Sequence, residues 1–142
     1  MRHFTNLVES LNRTLRGNFI VRAESSATAL GLANTLGIPL RVYATEEVDI
    51  PNVEVKIVNN LREHQMRSVG LLDGFLCTNA ETTIIEMLRE KADPQTILES
   101  LASYYYDENR ENWGRLPQLA RANGVDEELE SYMEDALESV YY

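Results

Sequence analysis

The single cysteine, the two histidines and two glutamates of one predicted helix are the residues of this chain whose types could carry chemistry: Cys77, His3, His64, Glu81 and Glu86. Cys77 stands inside the apolar run Phe75, Leu76, Cys77. A nucleophilic thiolate needs a nearby base and electropositive surroundings, so a cysteine in this setting is expected to be a small buried hydrophobe. Neither histidine has Cys, His, Asp or Glu at the spacing of metal ligands. Glu81 and Glu86 could be paired carboxylates for acid–base work. However, Glu81 follows Thr78 by three residues, the spacing of a capping box, and Glu86 is expected to face solvent. The chain also lacks a Gly-rich phosphate loop, a serine nucleophile elbow and a dinucleotide fingerprint. The expectation is a protein that is not an enzyme, with no catalytic residue, no metal and no cofactor.

Binding is the remaining chemistry. Tyr104, Tyr105 and Tyr106 form one aromatic cluster and Tyr141 and Tyr142 another. Aromatics at an accessible helix end anchor interfaces, although one tyrosine of each cluster can equally serve the core. Residues 126–138 are rich in carboxylates, and Glu127, Glu130 and Glu134 could meet a basic partner by charge complementarity. The opposite charge gathers at the start of the chain, where Arg2, Arg13, Arg16 and Arg22 face only Glu9. These arginines are either scattered over a solvated helix face or a footprint for nucleic-acid phosphates.

The elements that must position these residues follow from periodicity. Phe4, Leu7, Val8, Leu11 and Leu15 make an amphipathic helix closed by Gly17. Residues 18–21 suit a short strand. Ser25 or Ser26 is expected to cap a second helix that ends at Gly37. Residues 39–45 and 53–58 alternate apolar and polar as half-buried strands do, and their short connection favours an antiparallel pair. Residues 61–67 are ambiguous. Residues 69–72 suit a third strand before a turn at Asp73 and Gly74. Residues 75–88 organise the chain: an apolar strand stops at Thr78 and Asn79, and Ile84, Ile85, Met87 and Leu88 continue as a wide helical stripe. Asp93 and Pro94 start the next helix. A short helix carrying Trp113, Leu116, Leu119 and Ala120 stops at Asn123 and Gly124, with Pro117 in its first turn. Asp126 is expected to cap the last helix.

The fold class is therefore α+β, in one domain spanning residues 1–142. A small, mostly antiparallel sheet with two N-terminal helices occupies residues 1–78, and an all-helical half occupies residues 79–142. One cysteine excludes an internal disulfide, and no apolar run approaches the roughly 20 residues of a membrane span. A cytoplasmic protein without a secretory signal is expected. The net charge of −10 is uneven: residues 1–70 hold 8 Lys and Arg against 7 Asp and Glu, and residues 71–142 hold 5 against 16. The second half is thus a poor nucleic-acid surface.

Several segments, taken in order, resemble a known family. They are residues 25–32, the strand Val42 to Thr45, the strand Val53 to Ile57, and residues 74–88, from Gly74 through Glu81 to Leu88. The spacing of Leu116, Leu119, Ala120 and Gly124 extends the pattern. This order resembles the C-terminal domain of AbiEi-type antitoxins of bacterial abortive-infection toxin–antitoxin systems. The chain is expected to be without the N-terminal winged helix-turn-helix of that family, and it reads Thr82 where the family commonly has Arg after the Glu. The resemblance implies a role in countering a toxin, of nucleotidyltransferase type. A non-catalytic antitoxin-like protein acting through contacts with such a toxin, or with another basic protein, is the leading expectation. The alternative is a DNA-binding or transcriptional accessory protein of a phage-defence operon, in which a homodimer would double the arginine footprint.

Overall fold

A computed structural model of the protein describes residues 2–71, 74–106 and 115–141; Trp113 and Asp73 lie outside the described residues. The architecture is α+β, a five-stranded mixed sheet with helices, and the last 60-odd positions contribute helices alone among the described residues. Helix α1 (Arg2–Leu15) carries the apolar stripe expected of it. Phe4, Leu7, Val8, Leu11 and Leu15 are all buried, and Gly17 takes the left-handed conformation that turns the chain into β1 (Phe19–Val21). Helix α2 (Ala23–Leu30) follows at once, then β2 (Leu40–Ala44), β3 (Val53–Ile57), the short α3 (Arg62–Gln65), β4 (Ser68–Gly70) and β5 (Leu76–Thr78). The remainder is α4 (Ala80–Arg89), α5 (Pro94–Tyr106), α6 (Arg115–Ala122) and α7 (Asp126–Tyr141).

The strand order is β3-β2-β1-β5-β4. β1 pairs antiparallel with β2, and β4 with β5, but β1 with β5 and β2 with β3 are parallel. The expected antiparallel pairing of residues 39–45 with 53–58 is thus corrected, and the sheet is mixed. Alternation at period two is the same in either orientation, so the connection decides. Residues 45–52, at ~3.3 Å each, reach far enough to return along the ~17 Å of a five-residue strand without a helix. Val48 and Ile50 in that connection pack on the sheet face beside Val53 and Val55, covering it as a crossover helix would.

The second helix also differs from expectation. Ser25 and Ser26 do not cap it; they are fully buried within it. The Ser25 hydroxyl lies 2.9 Å from the Gly37 carbonyl and accepts from the Arg41 backbone N–H, while the Ser26 hydroxyl donates to the Thr78 carbonyl at 2.8 Å. These hydroxyls tie the helix to strands distant in sequence, which local capping rules do not foresee. The helix ends at Gly31 (φ 73°), not at Gly37, and Leu36 is exposed.

Two layers of core result. One lies between α1 and a sheet face made by Phe19, Val21, Leu40, Val42, Ala44 and Cys77. The other gathers α2, α4, α5, α6 and α7 around Ile84, Met87, Leu101, Leu116 and Leu129. Helix α4 sits at the junction. Its cap is Asn79, whose side chain accepts from the Thr82 N–H at 2.8 Å; the expected capping box of Thr78 with Glu81 does not form. Thr78 is buried and shares hydrogen bonds with Thr83 and Ser26 instead. Asp93 caps α5 as expected, accepting from the Thr96 N–H at 3.1 Å. Pro117 lies in the first turn of α6, Gly124 (φ 73°) follows its end, and Asp126 is the first residue of α7 rather than its cap.

Candidate functional site

The polar site of the molecule is built where β1 ends, β2 passes and α4 begins its last turns. Ile20 of β1 pairs with Tyr43 of β2, so both point to the sheet face opposite α1. Arg22, two residues after Ile20, leaves β1 on the same face, and its backbone N–H bonds to the Arg41 carbonyl at 2.9 Å. Helix α4 lays Glu86 over this face. The Glu86 carboxylate is buried, contrary to the expected solvent-facing position. Arg22 donates to Glu86 Oε2 through Nε at 3.0 Å and places its Nη2 2.9 Å from the same oxygen. The Tyr43 hydroxyl donates to Oε2 as well, and Arg22 also pairs with Glu90. The guanidinium carbon stands 4.8 Å from the Tyr43 ring centroid, and the His64 ring stacks on Tyr43 at 4.0 Å with a 28° tilt.

The electrostatics follow from burial and these contacts. Burial opposes the charge of Arg22, but attraction and hydrogen bonding from Glu86 and Tyr43 outweigh it and raise its pKa. The Tyr43 phenol is raised first by burial and then by the Glu86 charge. Burial lowers His64, and the Arg67 charge adds to that against the pull of Glu86. Burial likewise lowers Lys56, with Arg22 next in effect. Lys56 reaches the site from β3, 3.7 Å from Glu90. Beside this cluster opens a cleft of about 340 Å3, lined among others by Tyr43, His64, Arg67, Glu86, Arg89 and Leu119.

The cluster is suited to holding, not to attacking. Glu86 is engaged by a guanidinium and a phenol, which makes its Oε2 a poor general base. Its other oxygen, Oε1, is buried with no hydrogen-bond partner among the described residues. Cys77 is buried in β5 as the apolar run implies, and burial pushes its thiol pKa up. Among the described residues no group of three or more His, Cys, Asp or Glu is arranged to hold a metal ion. No helix of the described residues is long and apolar enough to cross a membrane.

The residues singled out from sequence are dispersed. Arg22 belongs to the buried cluster and is withdrawn from any phosphate footprint; this corrects its grouping with the N-terminal arginines. Arg13 and Arg16 are exposed near the end of α1. Tyr104 is buried, Tyr105 is half-buried and Tyr106 is exposed, so one tyrosine of that cluster serves the core. Glu127, Glu130 and Glu134 are exposed on α7. Tyr142 lies outside the described residues, as do the side chains of Arg2 and Tyr141. Glu86, Tyr43, Arg67 and Arg89 were not expected as a site. The apolar stripe Ile84, Ile85, Met87 and Leu88 sets α4 against the core but gives no signal that Glu86 is buried.

No protein-family profile matches the chain. No curated protein matches it either.

Proposed function

We propose that the protein works by binding, as a non-catalytic, antitoxin-like protein of the cytoplasm that counters a basic protein partner, a toxin of nucleotidyltransferase type in the resemblance above. The observation that carries this reading is α7. Residues 126–141 hold seven carboxylates and no Lys or Arg. Leu129 and Ala136 turn inward to the helical core, while Glu127, Glu128, Glu130 and Glu134 are exposed. A single-sign face of this length raises the encounter rate with a basic surface and repels acidic ones. Tyr106, 59% exposed at the end of α5, adds an aromatic contact point, with the Tyr105 ring edge-on at 6.2 Å. The DNA-binding alternative retains only Arg13 and Arg16 as exposed described members of its footprint, which is thin for a phosphate-tracking surface.

Calorimetric titration against the product of the adjacent gene tests the proposal. Binding that weakens with added salt, and that the triple substitution Glu127→Lys, Glu130→Lys, Glu134→Lys abolishes without unfolding the protein, is the expected result. Absent binding, or binding indifferent to salt and to charge reversal, sinks it.

A further inference from the structure

The cleft beside Glu86 lies outside the acidic surface of α7, and its lining has a chemistry of its own. Arg67 and Arg89 are both exposed at its walls and neither forms an ion pair among the described residues. In a chain of net charge −10, two uncommitted guanidinium groups on one cleft are a local seat for an anion. The second feature is the Glu86 carboxylate, 6% exposed, which lines the same cleft with Oε1 unpartnered. A buried acceptor without a donor is unfavourable, a penalty that a ligand N–H would remove. The third is the wall: the His64 ring, which stacks on buried Tyr43 by one face, lines the cleft, and Ile85 and Leu119 supply apolar surface.

We infer that this cleft binds a nucleoside monophosphate, with its phosphate on Arg67 and Arg89, its base against the His64 ring, and a base N–H donated to Glu86 Oε1. The donor is neutral rather than an ammonium group, because Arg22, Arg89 and Lys56 already surround this carboxylate with positive charge. The lowering of Lys56 by burial and by those arginines reports the same field. Inorganic phosphate would satisfy the arginines alone, and a sugar phosphate would leave the ring wall uncovered. A volume of about 340 Å3 lies at the small end of ligand sites, which run roughly 300–1,000 Å3.

The test uses the full chain alone and so does not depend on any partner of α7. Adenosine, cytidine, guanosine and uridine monophosphates are titrated calorimetrically at low salt, beside ribose 5-phosphate and inorganic phosphate. At least one nucleotide is expected to bind about tenfold or more tightly than ribose 5-phosphate, and to shift the His64 ring resonances in NMR spectra. Arg67→Ala and Arg89→Ala change exposed side chains, and both variants are expected to keep the wild-type circular dichroism spectrum. Each is expected to weaken nucleotide binding about tenfold or more. Equal affinity for nucleotide and ribose 5-phosphate overturns the inference, as do binding untouched by either variant and no binding at millimolar nucleotide.

Discussion

Substituting Arg22 by methionine isolates the interaction that holds the sheet to α4. Methionine keeps most of the length of the side chain but leaves Glu86 with the Tyr43 hydroxyl as its only remaining donor of the three. Removing one partner of a buried ion pair costs about 3–5 kcal/mol. Loss of the Glu90 contact adds little, since that side chain is 33% exposed and such pairs contribute about 0–1 kcal/mol. Arg22→Met is expected to lose about 3 kcal/mol, read from urea unfolding followed by circular dichroism. The double variant Arg22→Met, Glu86→Gln removes the charge while keeping an acceptor for Tyr43, and is expected to recover about 2 kcal/mol. A loss under about 1 kcal/mol in the single variant, or no recovery in the double variant, would refute the reasoning.

Two further outcomes follow from the geometry. A Cβ at Gly37 would stand 2.8 Å from Thr28 Oγ1 and 3.0 Å from two Phe4 ring carbons, at φ +66°. Gly37→Ala is expected to cost about 2–4 kcal/mol, whereas Gly31→Ala, with nothing within 4 Å, costs only the roughly 1–2 kcal/mol of its left-handed backbone; paired urea melts check the difference. Tyr43 and Tyr104 are both raised above 10.0, by burial first and by Glu86 and Glu81 respectively, so their contribution is present below pH 10 and is lost as pH rises past it. His64 is lowered from 6.5, so its NMR titration midpoint is expected below that value and should move up in Arg67→Ala.

Elements with local causes were legible in the sequence. Asp93 followed by Pro94 starts a helix through its own hydrogen bond, Gly124 follows one through its own backbone angle, and the stripe from Phe4 to Leu15 buries as a unit. What depended on distant partners was not. Glu86 stands opposite Ile84 and Leu88 on a helical projection, which reads as a solvent position. It is buried because Arg22, 64 residues earlier, emerges from β1 on the same face and neutralises it. Ser25 and Ser26 have the residue type of a helix cap, yet their hydroxyls bond to Gly37 and Thr78 across the fold. The parallel pairing of β2 with β3 leaves no mark in the alternation of either strand. Glu127, Glu130 and Glu134 on α7 were legible as an exposed acidic face because nothing distant is needed to keep them in water.

The most direct test of the binding role is a growth assay in which the adjacent gene is expressed with and without this protein. Wild-type protein is expected to relieve the toxicity of that gene, and the variant carrying Glu127→Lys, Glu130→Lys and Glu134→Lys to fail although folded and equally abundant. Toxicity unrelieved by the wild type, or relieved equally well by the charge-reversed variant, would contradict it.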